Sequence, residues 1–402
     1  FEKLCSVPHG SGNTKIISDL CVTMAKELGL RYRQEDCNNV IIWKDASPGY
    51  ENAAPVILQG HMDMVCAQTE DCPKDMTREG LDLATDGRYV WAEKTSLGGD
   101  DCIAVAAAFA ILADNSLSHP PLEVVITVDE ETGMDGAVAL DCSDLKGRRL
   151  LNLDSEEEGV FTVSCAGGLR ADCFVPAVKE PLTDEACFAV SIGGLKGGHS
   201  GAEIDKGRAN SSMLLGRVLC ALEQKTPLRV ISVSGGLKDN AIPTASVALV
   251  AADAGAVQAV CAEMDAAFKK EYRVNDPAIT VSARPAESSL LPMDEASSRS
   301  AVCLLACLPN GIQAMSADMP GLVQTSLNLG ILTTGDDAVH ASFSVRSSVA
   351  TQKQMLIDRL RCLTESLGGS VSTHGEYPGW EFMPQSPLRD LMVQVFTDQY
   401  GY

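Results

Sequence analysis

The sequence predicts an α/β protein, in which a parallel-rich mixed sheet flanked by helices forms one domain and an α+β domain is inserted into it. In the first part of the chain, compact apolar runs alternate with stretches of helical periodicity, an order typical of layered α/β domains. After CAGG (165–168) the pattern changes to alternating strands, hairpin turns and isolated helices. This second pattern indicates a sheet with helices on one side.

Three apolar runs in the first part are predicted to be buried strands: PVILQG (55–60), LEVVITV (122–128) and RLLNLD (149–154). Their Val, Leu and Ile content is typical of a largely parallel sheet that is covered on both faces. Helical spacing of apolar residues predicts helices at Thr14–Leu28 and Asp101–Asp114.

Helices and one hairpin are predicted in the second part of the chain. One helix ends at Leu222, and two others span Ala256–Glu271 and Thr351–Leu367. Two alternating strands surround a turn at Gly335–Asp336. A last amphipathic helix is expected within 388–402.

Composition excludes several classes of function. A net charge of −22 would repel nucleic acid, which proteins bind by neutralising phosphates. The apolar stretch Asp101–Leu112 is too short to span a membrane, and we see no signal peptide. The 15 cysteines are scattered singly without CxxC pairs, which indicates reduced thiols and a cytoplasmic location.

Acidic and histidine side chains cluster at the ends of the predicted strands. HMD (61–63) follows the first strand, DEE (129–131) the second, and Asp154 ends the third. Asp100 and Asp101 stand just before a helix. Because ligands bind at the carboxyl edge of open α/β sheets, we expect these side chains to meet there.

One imidazole among several carboxylates suits a pair of Zn²⁺ or similar ions, because the carboxylates would otherwise repel one another. His61 and Asp63 are two residues apart, so Asp63 can accept the second ring N–H of His61. Glu130 and Glu131 point in different directions, which allows one to bind metal and the other to act as general base. Taken singly, Asp100 could be only a helix N-cap and Asp129 only a turn residue.

A set of motifs resembles the aminoacyl-histidine dipeptidase branch (PepD, cytosol non-specific dipeptidases) of the M20 metallopeptidase family. In chain order the motifs are HMDMV, SLGGDD, DEETGMDGA, LLNLDSEEEG, CAGG, GLKGGHSG, DNAIP, SFSVRSS and YPGW. They cover essentially the whole chain. The SLGGDD loop resembles the dipeptidase branch more than the carboxypeptidase and deacetylase branches. The resemblance implies a catalytic domain at residues 1–167 and 380–402 and a lid and dimerisation domain at 168–379.

The resemblance also implies roles for the clustered residues of the first domain. His61 and Asp154 would bind one metal ion, Glu131 the other, and Asp100 would bridge both. Glu130 would be the general base and acid, acting on a metal-activated water. Asp63 would orient His61. The two ions would be Zn²⁺, with Mn²⁺ or Co²⁺ as alternatives.

In the lid domain, the resemblance implies that His199 helps to polarise the scissile carbonyl, within one chain or across a homodimer. Asn240 and Arg346 would bind the carboxylate of the substrate. Without the resemblance, His199 and Asn240 would be ordinary turn residues and Arg346 an ordinary strand-end charge. The family's further histidine ligand, in a segment like His-Thr/Ser-Pro-Asp/Glu, has no counterpart here, so we expect the sequence to be part of a longer chain.

The function expected is metal-dependent hydrolysis of dipeptides, either Xaa-His or of broad specificity. Three alternatives stay open at this point. The first is an M20 deacylase or carboxypeptidase that acts on N-acyl amino acids, and the second is a non-catalytic metal-binding homologue. The third is a cysteine-dependent hydrolase, which thiol alkylation rather than chelation would inhibit.

Overall fold

The computed structural model describes residues 1–155, 157–181 and 186–401. The chain has two compact units, of which unit 1 comprises Phe1–Thr162 and Ser386–Tyr402 and unit 2 comprises Val163–Gln385. Unit 2 is therefore inserted into the sequence of unit 1.

That one of the two expected domains is catalytic and the other a lid stays a prediction. Their ranges, 1–167 with 380–402 and 168–379, include residues 182–185 and Tyr402, which lie outside the described residues. Glu156 of the LLNLDSEEEG motif also lies outside them.

Unit 1 contains short and long helices around its strands. The helices are α1 (Glu2–Cys5), α2 (Lys15–Glu27), α3 (Gly99–Ala113), α4 (Glu130–Gly133), α5 (Asp135–Ala139) and α10 (Pro387–Tyr400). The strands are β1 (Arg31–Gln34), β2 (Val40–Lys44), β3 (Val56–His61), β4 (Leu83–Thr85), β5 (Val90–Ala92), β6 (Leu122–Thr127) and β7 (Arg149–Asn152).

The described residues of unit 1 form a five-stranded sheet in the order β1-β2-β6-β3-β7. Strand β3 pairs in parallel with β6 and β7, whereas β2 pairs antiparallel with β1 and β6. The predicted mixed sheet with parallel strands and helices is thus confirmed. The antiparallel strands β1 and β2 were not predicted: β1 is short and partly exposed, whereas the apolar run of β2, buried at Val40–Ile42, was overlooked. Strand β7 is mostly exposed, so the prediction that RLLNLD is a buried strand is wrong in that respect.

The core of unit 1 lies between this sheet and the helices α2 and α3. Ile17 and Cys21 of α2, Val105 of α3 and Val124 of β6 are all fully buried in one cluster. Their spacing of four on α2 places them on one helix face, which explains the predicted helix. Among the described residues, the structure has no helix long and apolar enough to cross a membrane.

Unit 2 has longer strands and four α-helices among its described residues. The strands are β8 (Gly167–Pro176), β9 (Cys187–Gly193), β10 (Gly198–His199), β11 (Arg229–Gly235), β12 (Ala241–Ile242), β13 (Ser246–Ala251), β14 (Thr280–Pro285), β15 (Gly311–Met315), β16 (Val323–Thr334), β17 (Ala338–Ser347) and β18 (Ser370–Tyr377). The helices are α6 (Ser211–Glu223), α7 (Ala254–Glu271), α8 (Glu295–Cys307) and α9 (Ala350–Ser366), and a 3₁₀ turn spans Ile204–Lys206.

Nine of these strands form one sheet in the order β14-β9-β13-β11-β16-β17-β8-β18, with β15 beside β16. Every pairing in this sheet is antiparallel. Leu169, Ala171, Cys173 and Val175 of β8 alternate into the core that the helices cover. The separate antiparallel sheet confirms the expected inserted α+β domain.

The two ends of unit 2 lie side by side. Cys165 and Trp380 exchange two backbone hydrogen bonds of 2.9 and 2.8 Å. Gly167 permits this approach, because a methyl group at its Cα would lie 2.3 Å from the backbone nitrogen of Gly379. The CAGG and YPGW motifs, far apart in the sequence, are therefore neighbours in the structure.

Candidate active site

The parallel strands of unit 1 end at the same edge of the sheet. His61, the last residue of β3, pairs with Thr127 at the end of β6. Gln59 of β3 pairs with Asn152 at the end of β7. The acidic segments that follow β6 and β7 therefore begin beside His61, as the sequence predicted.

His61 is buried, and both of its ring nitrogens face oxygen atoms. Its Nδ1 lies 3.0 Å from the backbone oxygen of Asp63 and 3.3 Å from Oδ1 of the same residue. Its Nε2 lies 3.0 Å from Asp100 Oδ1, 3.6 Å from Asp154 Oδ1 and 3.9 Å from Glu130 Oε2. One side of the ring is thus held by Asp63, and the other faces three carboxylates.

The buried carboxylate of Asp63 is itself held by two donors from other segments. Ser11 donates its hydroxyl to Asp63 Oδ2 over 2.8 Å, and the backbone N–H of Glu130 donates to Oδ1 over 3.2 Å. The turn that carries Ser11 is tied to Met64, whose N–H donates to the backbone oxygen of His9. Sequence reasoning missed Ser11, because a serine in a glycine-rich turn has no distinctive pattern.

Helix α3 begins inside the SLGGDD loop rather than after it. Its N-cap is Gly98, so the alternative of Asp100 as the N-cap residue is wrong. Asp100 and Asp101 lie in the first turn with non-helical backbone angles, and the peptide bond between them is cis. Asp100 is half-exposed, and its Oδ1 lies 3.0 Å from Nε2 of His61. The buried Asp101 accepts the backbone N–H of His61 over 3.1 Å.

Two groups of three side chains could each hold a metal ion, with ligand atoms within 4.8 Å of one another. They are His61 with Asp101 and Asp154, and His61 with Asp100 and Glu131. Asp101 was not predicted as a ligand, although its place beside Asp100 in SLGGDD was a visible signal. The other four ligands of these groups are those that the resemblance implied.

The electrostatics of the cluster favour a cation. Burial would lower the pKa of His61, but hydrogen bonds with Asp154 and Asp63 raise it to about 11. Burial, with the nearby charge of Asp154, raises the pKa of Asp101 to about 7. Burial also raises the pKa of Glu130 and that of Glu131. Protons therefore neutralise excess negative charge here, and a divalent cation bound by the same oxygen and nitrogen donors fits in their place.

Asp129 behaves as the turn residue that the sequence suggested. It is the N-cap of α4 in the left-handed region, with φ of 56°, and its Oδ1 accepts the backbone N–H of Gly12 over 2.6 Å. All 15 cysteines are free, and Cys102, beside the cluster, is buried with a pKa raised well above its usual value by burial. A nucleophilic thiolate gains no support from that environment.

In unit 2 the structure brings the predicted substrate-binding residues to one place. His199 on β10 pairs with Ala241 on β12, and the N–H of Ser200 donates to the backbone oxygen of Asn240 over 2.8 Å. His199 Nδ1 accepts the N–H groups of Gly201 and of Ala202 over 3.2 and 3.1 Å. Because Nδ1 is an acceptor, the neutral ring carries its hydrogen on Nε2 and can donate it.

Arg346, at the end of β17, approaches the same turn. A methyl group at Gly201 would lie 3.0 Å from His199 Cε1 and 3.2 Å from Arg346 Cζ. Arg346 Nη1 donates to the hydroxyl of Tyr377 over 3.0 Å. Tyr377 belongs to YPGW, but no pattern in the sequence indicates its contact with Arg346.

Comparisons with known proteins show what this chain is similar to. Residues 190–276 match the peptidase dimerisation domain of the M20 family. The chain is 34% identical over 400 residues to the cytosol non-specific dipeptidase of Escherichia coli K12, covering 98% of this chain and 82% of the relative. It is also 24% identical over 262 residues to the uncharacterised protein YqjE of Bacillus subtilis, covering 60% and 62% of the two chains.

A solved structure is similar over the full length. The crystal structure of aminoacylhistidine dipeptidase from Vibrio alginolyticus superposes with a TM-score of 0.92 and 34% sequence identity. The match covers 100% of this chain and 82% of that one. The resemblance drawn from the motifs is thus confirmed over the whole chain.

Proposed function

Because this chain belongs to the M20 metallopeptidase family, in the branch of the cytosol non-specific (aminoacylhistidine) dipeptidases, we propose that it hydrolyses dipeptides at a centre of two divalent metal ions in unit 1. The observation that carries the proposal is the setting of His61. Its Nδ1 is held by Asp63, and its Nε2 faces the carboxylates of Asp100 and Asp154. A histidine whose second ring nitrogen is held by a backbone carbonyl, with a carboxylate close by, is the usual form of a metal ligand.

The chemistry of the donors suggests how two ions would share these side chains. The Nε2 of His61 has a single lone pair, so it can bind only one ion. A carboxylate has two oxygens and can bridge, and Asp100 Oδ1 lies 3.0 Å from that nitrogen. As the resemblance implies, we assign Asp100 as the bridge, His61 with Asp154 to one ion and Glu131 to the other. Zn²⁺ is the ion we expect, and Mn²⁺ or Co²⁺ suit the same oxygen and nitrogen donors.

When bound, the ions would polarise the scissile carbonyl and lower the pKa of the attacking water. Glu130 would take a proton from that water and pass it to the leaving amine, because its carboxylate lies beside the cluster without being needed as a ligand. The raised pKa of Glu130, caused mainly by burial, suits a group that both accepts and returns a proton. Asp63 would keep His61 in one orientation throughout.

Unit 2 would supply the groups that recognise the substrate. His199 can donate its Nε2 hydrogen to the carbonyl oxygen, since Nδ1 already accepts two backbone N–H groups. Arg346 and Asn240 would bind the free carboxylate, which limits substrates to very short peptides. We also propose a homodimer formed through unit 2, supported by the match to the dimerisation domain and tested by analytical ultracentrifugation.

The proposal is tested by hydrolysis of a dipeptide panel that includes β-alanyl-histidine. The protein is assayed with a chelator, after addition of Zn²⁺ or Mn²⁺, and as the Glu130→Gln variant. We expect cleavage to stop with the chelator, to return with metal and to be lost in the variant. Cleavage of N-acyl amino acids but of no dipeptide would contradict the proposal.

A further inference from the structure

Three strands of unit 2 bring Tyr377 to Arg346. In the sheet, Gly168 of β8 pairs with Arg346 on β17 on one side and with Tyr377 on β18 on the other. A methyl group at Gly168 would lie 2.5 Å from the hydroxyl oxygen of Tyr377 and 2.7 Å from its Cζ. The absence of a side chain at Gly168 therefore lets the tyrosine ring lie across the sheet and reach the guanidinium.

The backbone of Tyr377 is held by a further contact. The buried Lys353 donates to the backbone oxygen of Tyr377 over 3.0 Å, and its Nζ lies 3.0 Å from Glu376 Oε1. The hydroxyl of Tyr377 then accepts from Arg346 Nη1 over 3.0 Å. Because the ring and the backbone of Tyr377 are both fixed, this hydrogen bond limits the orientations that are open to the arginine.

One nitrogen of the guanidinium has no hydrogen-bond partner in the part of the chain that the structure describes. The Nε of Arg346 is buried and has no hydrogen-bond acceptor among the residues that the structure describes. A buried donor without an acceptor costs free energy, which indicates that a ligand supplies the acceptor. The nearest turn contains Gly201, whose Cα carries no side chain between His199 and Arg346.

We propose that Gly201 and Tyr377 define the slot between His199 and Arg346 that receives the free carboxylate of the substrate. Gly201 keeps the slot open, and Tyr377 is a positioning residue that aims the unpartnered Nε of Arg346 into it. The ligand class is a small carboxylate at the end of a very short peptide. This inference rests on the proposed function and adds the two residues that set its specificity.

The test compares β-alanyl-histidine with its C-terminal amide, which lacks the carboxylate. The full chain is assayed as parent, Gly201→Ala, Tyr377→Phe and the control Gly193→Ala. Neither Gly201 nor Gly193 has a positive φ, so alanine is not strained by the backbone. At Gly193 the nearest atom, Thr280 Oγ1, lies 3.9 Å from an added methyl group, so this control should match the parent.

We expect the parent to prefer the free acid, and Gly201→Ala to lower kcat/KM for the acid by about 10- to 100-fold, the effect of losing a hydrogen bond to a charged group. Tyr377→Phe should lower it by about 3- to 10-fold, mainly through KM. In both variants kcat/KM for the amide should change much less, and the melting temperature should stay that of the parent. An acid-to-amide ratio that both variants leave unchanged would overturn the inference.

Failure of the proposed function is recognised separately. If the parent cleaves no dipeptide of the panel, that function fails, and the slot is then judged by calorimetric titration of β-alanyl-histidine into the same proteins. If it cleaves other dipeptides but not β-alanyl-histidine, the comparison of acid and amide is made with a dipeptide that it cleaves. Binding that Gly201→Ala and Tyr377→Phe weaken, while Gly193→Ala does not, supports the slot. Binding that is absent in the parent, or equal in all four proteins, overturns it.

Discussion

The hydroxyl of Ser11 donates a hydrogen bond of 2.8 Å to Oδ2 of Asp63, the residue that holds Nδ1 of His61. Asp63 is fully buried, and its other oxygen accepts the N–H of Glu130. The carboxylate of Asp63 therefore contacts residues from three segments: the N-terminal turn, the end of β3 and the start of α4. The orientation of His61 is set by contacts that reach well beyond its own strand.

Loss of the Ser11 hydroxyl should loosen that carboxylate and weaken metal binding. For Ser11→Ala we expect the affinity for Co²⁺ to fall by about 3- to 10-fold, somewhat less than is usual for a direct partner of a ligating histidine. The dissociation constant is measured by competition with a chromophoric chelator. The control is Ser6→Ala, whose hydroxyl bonds only to the backbone oxygen of Lys3 at the surface. Equal affinities for the two variants would contradict the prediction.

Removal of the bridging carboxylate should have a larger effect on metal content than removal of a ligand to one ion. We expect Asp100→Asn to lose both ions, whereas Glu131→Gln keeps one, because only Asp100 is assigned to both. Metal content is measured by atomic emission after dialysis. Retention of one ion by Asp100→Asn, with loss of both in Asp101→Asn, would transfer the bridging role to Asp101.

Metal affinity should rise with pH. Hydrogen bonds with Asp154 and Asp63 hold the pKa of His61 near 11 against the effect of burial, so the metal-free ring is protonated at neutral pH. A ligating imidazole must be neutral, so binding releases that proton, and affinity rises about tenfold per pH unit for each proton released. Asp101, with a pKa of about 7, is itself largely protonated below that pH, so metal binding there releases a further fraction of a proton. Zn²⁺ titrations between pH 6 and 8 measure the slope, and a flat profile would refute this prediction.

A buried carboxylate outside the cluster should matter for stability alone. Glu123 of β6 accepts the backbone N–H groups of Lys146 and Gly147 at 2.9 Å each. Glu123→Ala would leave buried donors unpaired, so we expect the free energy of unfolding to fall by about 2–3 kcal/mol. Urea denaturation measures it, with Glu263→Ala on the exposed face of α7 as a control that should lie within about 0.5 kcal/mol of the parent.

The sequence was most informative where strand polarity alone decides position. His61 and Glu130 could be placed at one edge because the buried parallel strands before them have a strong apolar pattern and a common direction. Asp154 could be added because the short apolar run of β7 also predicted a strand, although β7 is mostly exposed. The same pattern did not show that Glu123, within LEVVITV, would face backbone donors. That contact depends on the position of the backbone at Lys146 and Gly147, more than 20 residues away in the sequence.

The sequence was least informative where long-range register decides. The contact of Arg346 with Tyr377 depends on the pairing of β17, β8 and β18, and β18 carries a register shift between His374 and Tyr377. A shift of one residue would turn Tyr377 to the other face, and local sequence does not specify it. Likewise, the backbone angles of Asp100 and Asp101, rather than their spacing, decide which oxygen faces His61.

The paired backbones of Cys165 and Trp380 have a consequence for producing the inserted segment as a separate protein. The first and last parts of the inserted segment are hydrogen-bonded to each other, so the segment begins and ends at the same place in the structure. A gene encoding only 163–385 would yield a product in which Cys165 and Trp380, each close to one terminus, are already paired, which suits circularisation or transplantation into another host protein.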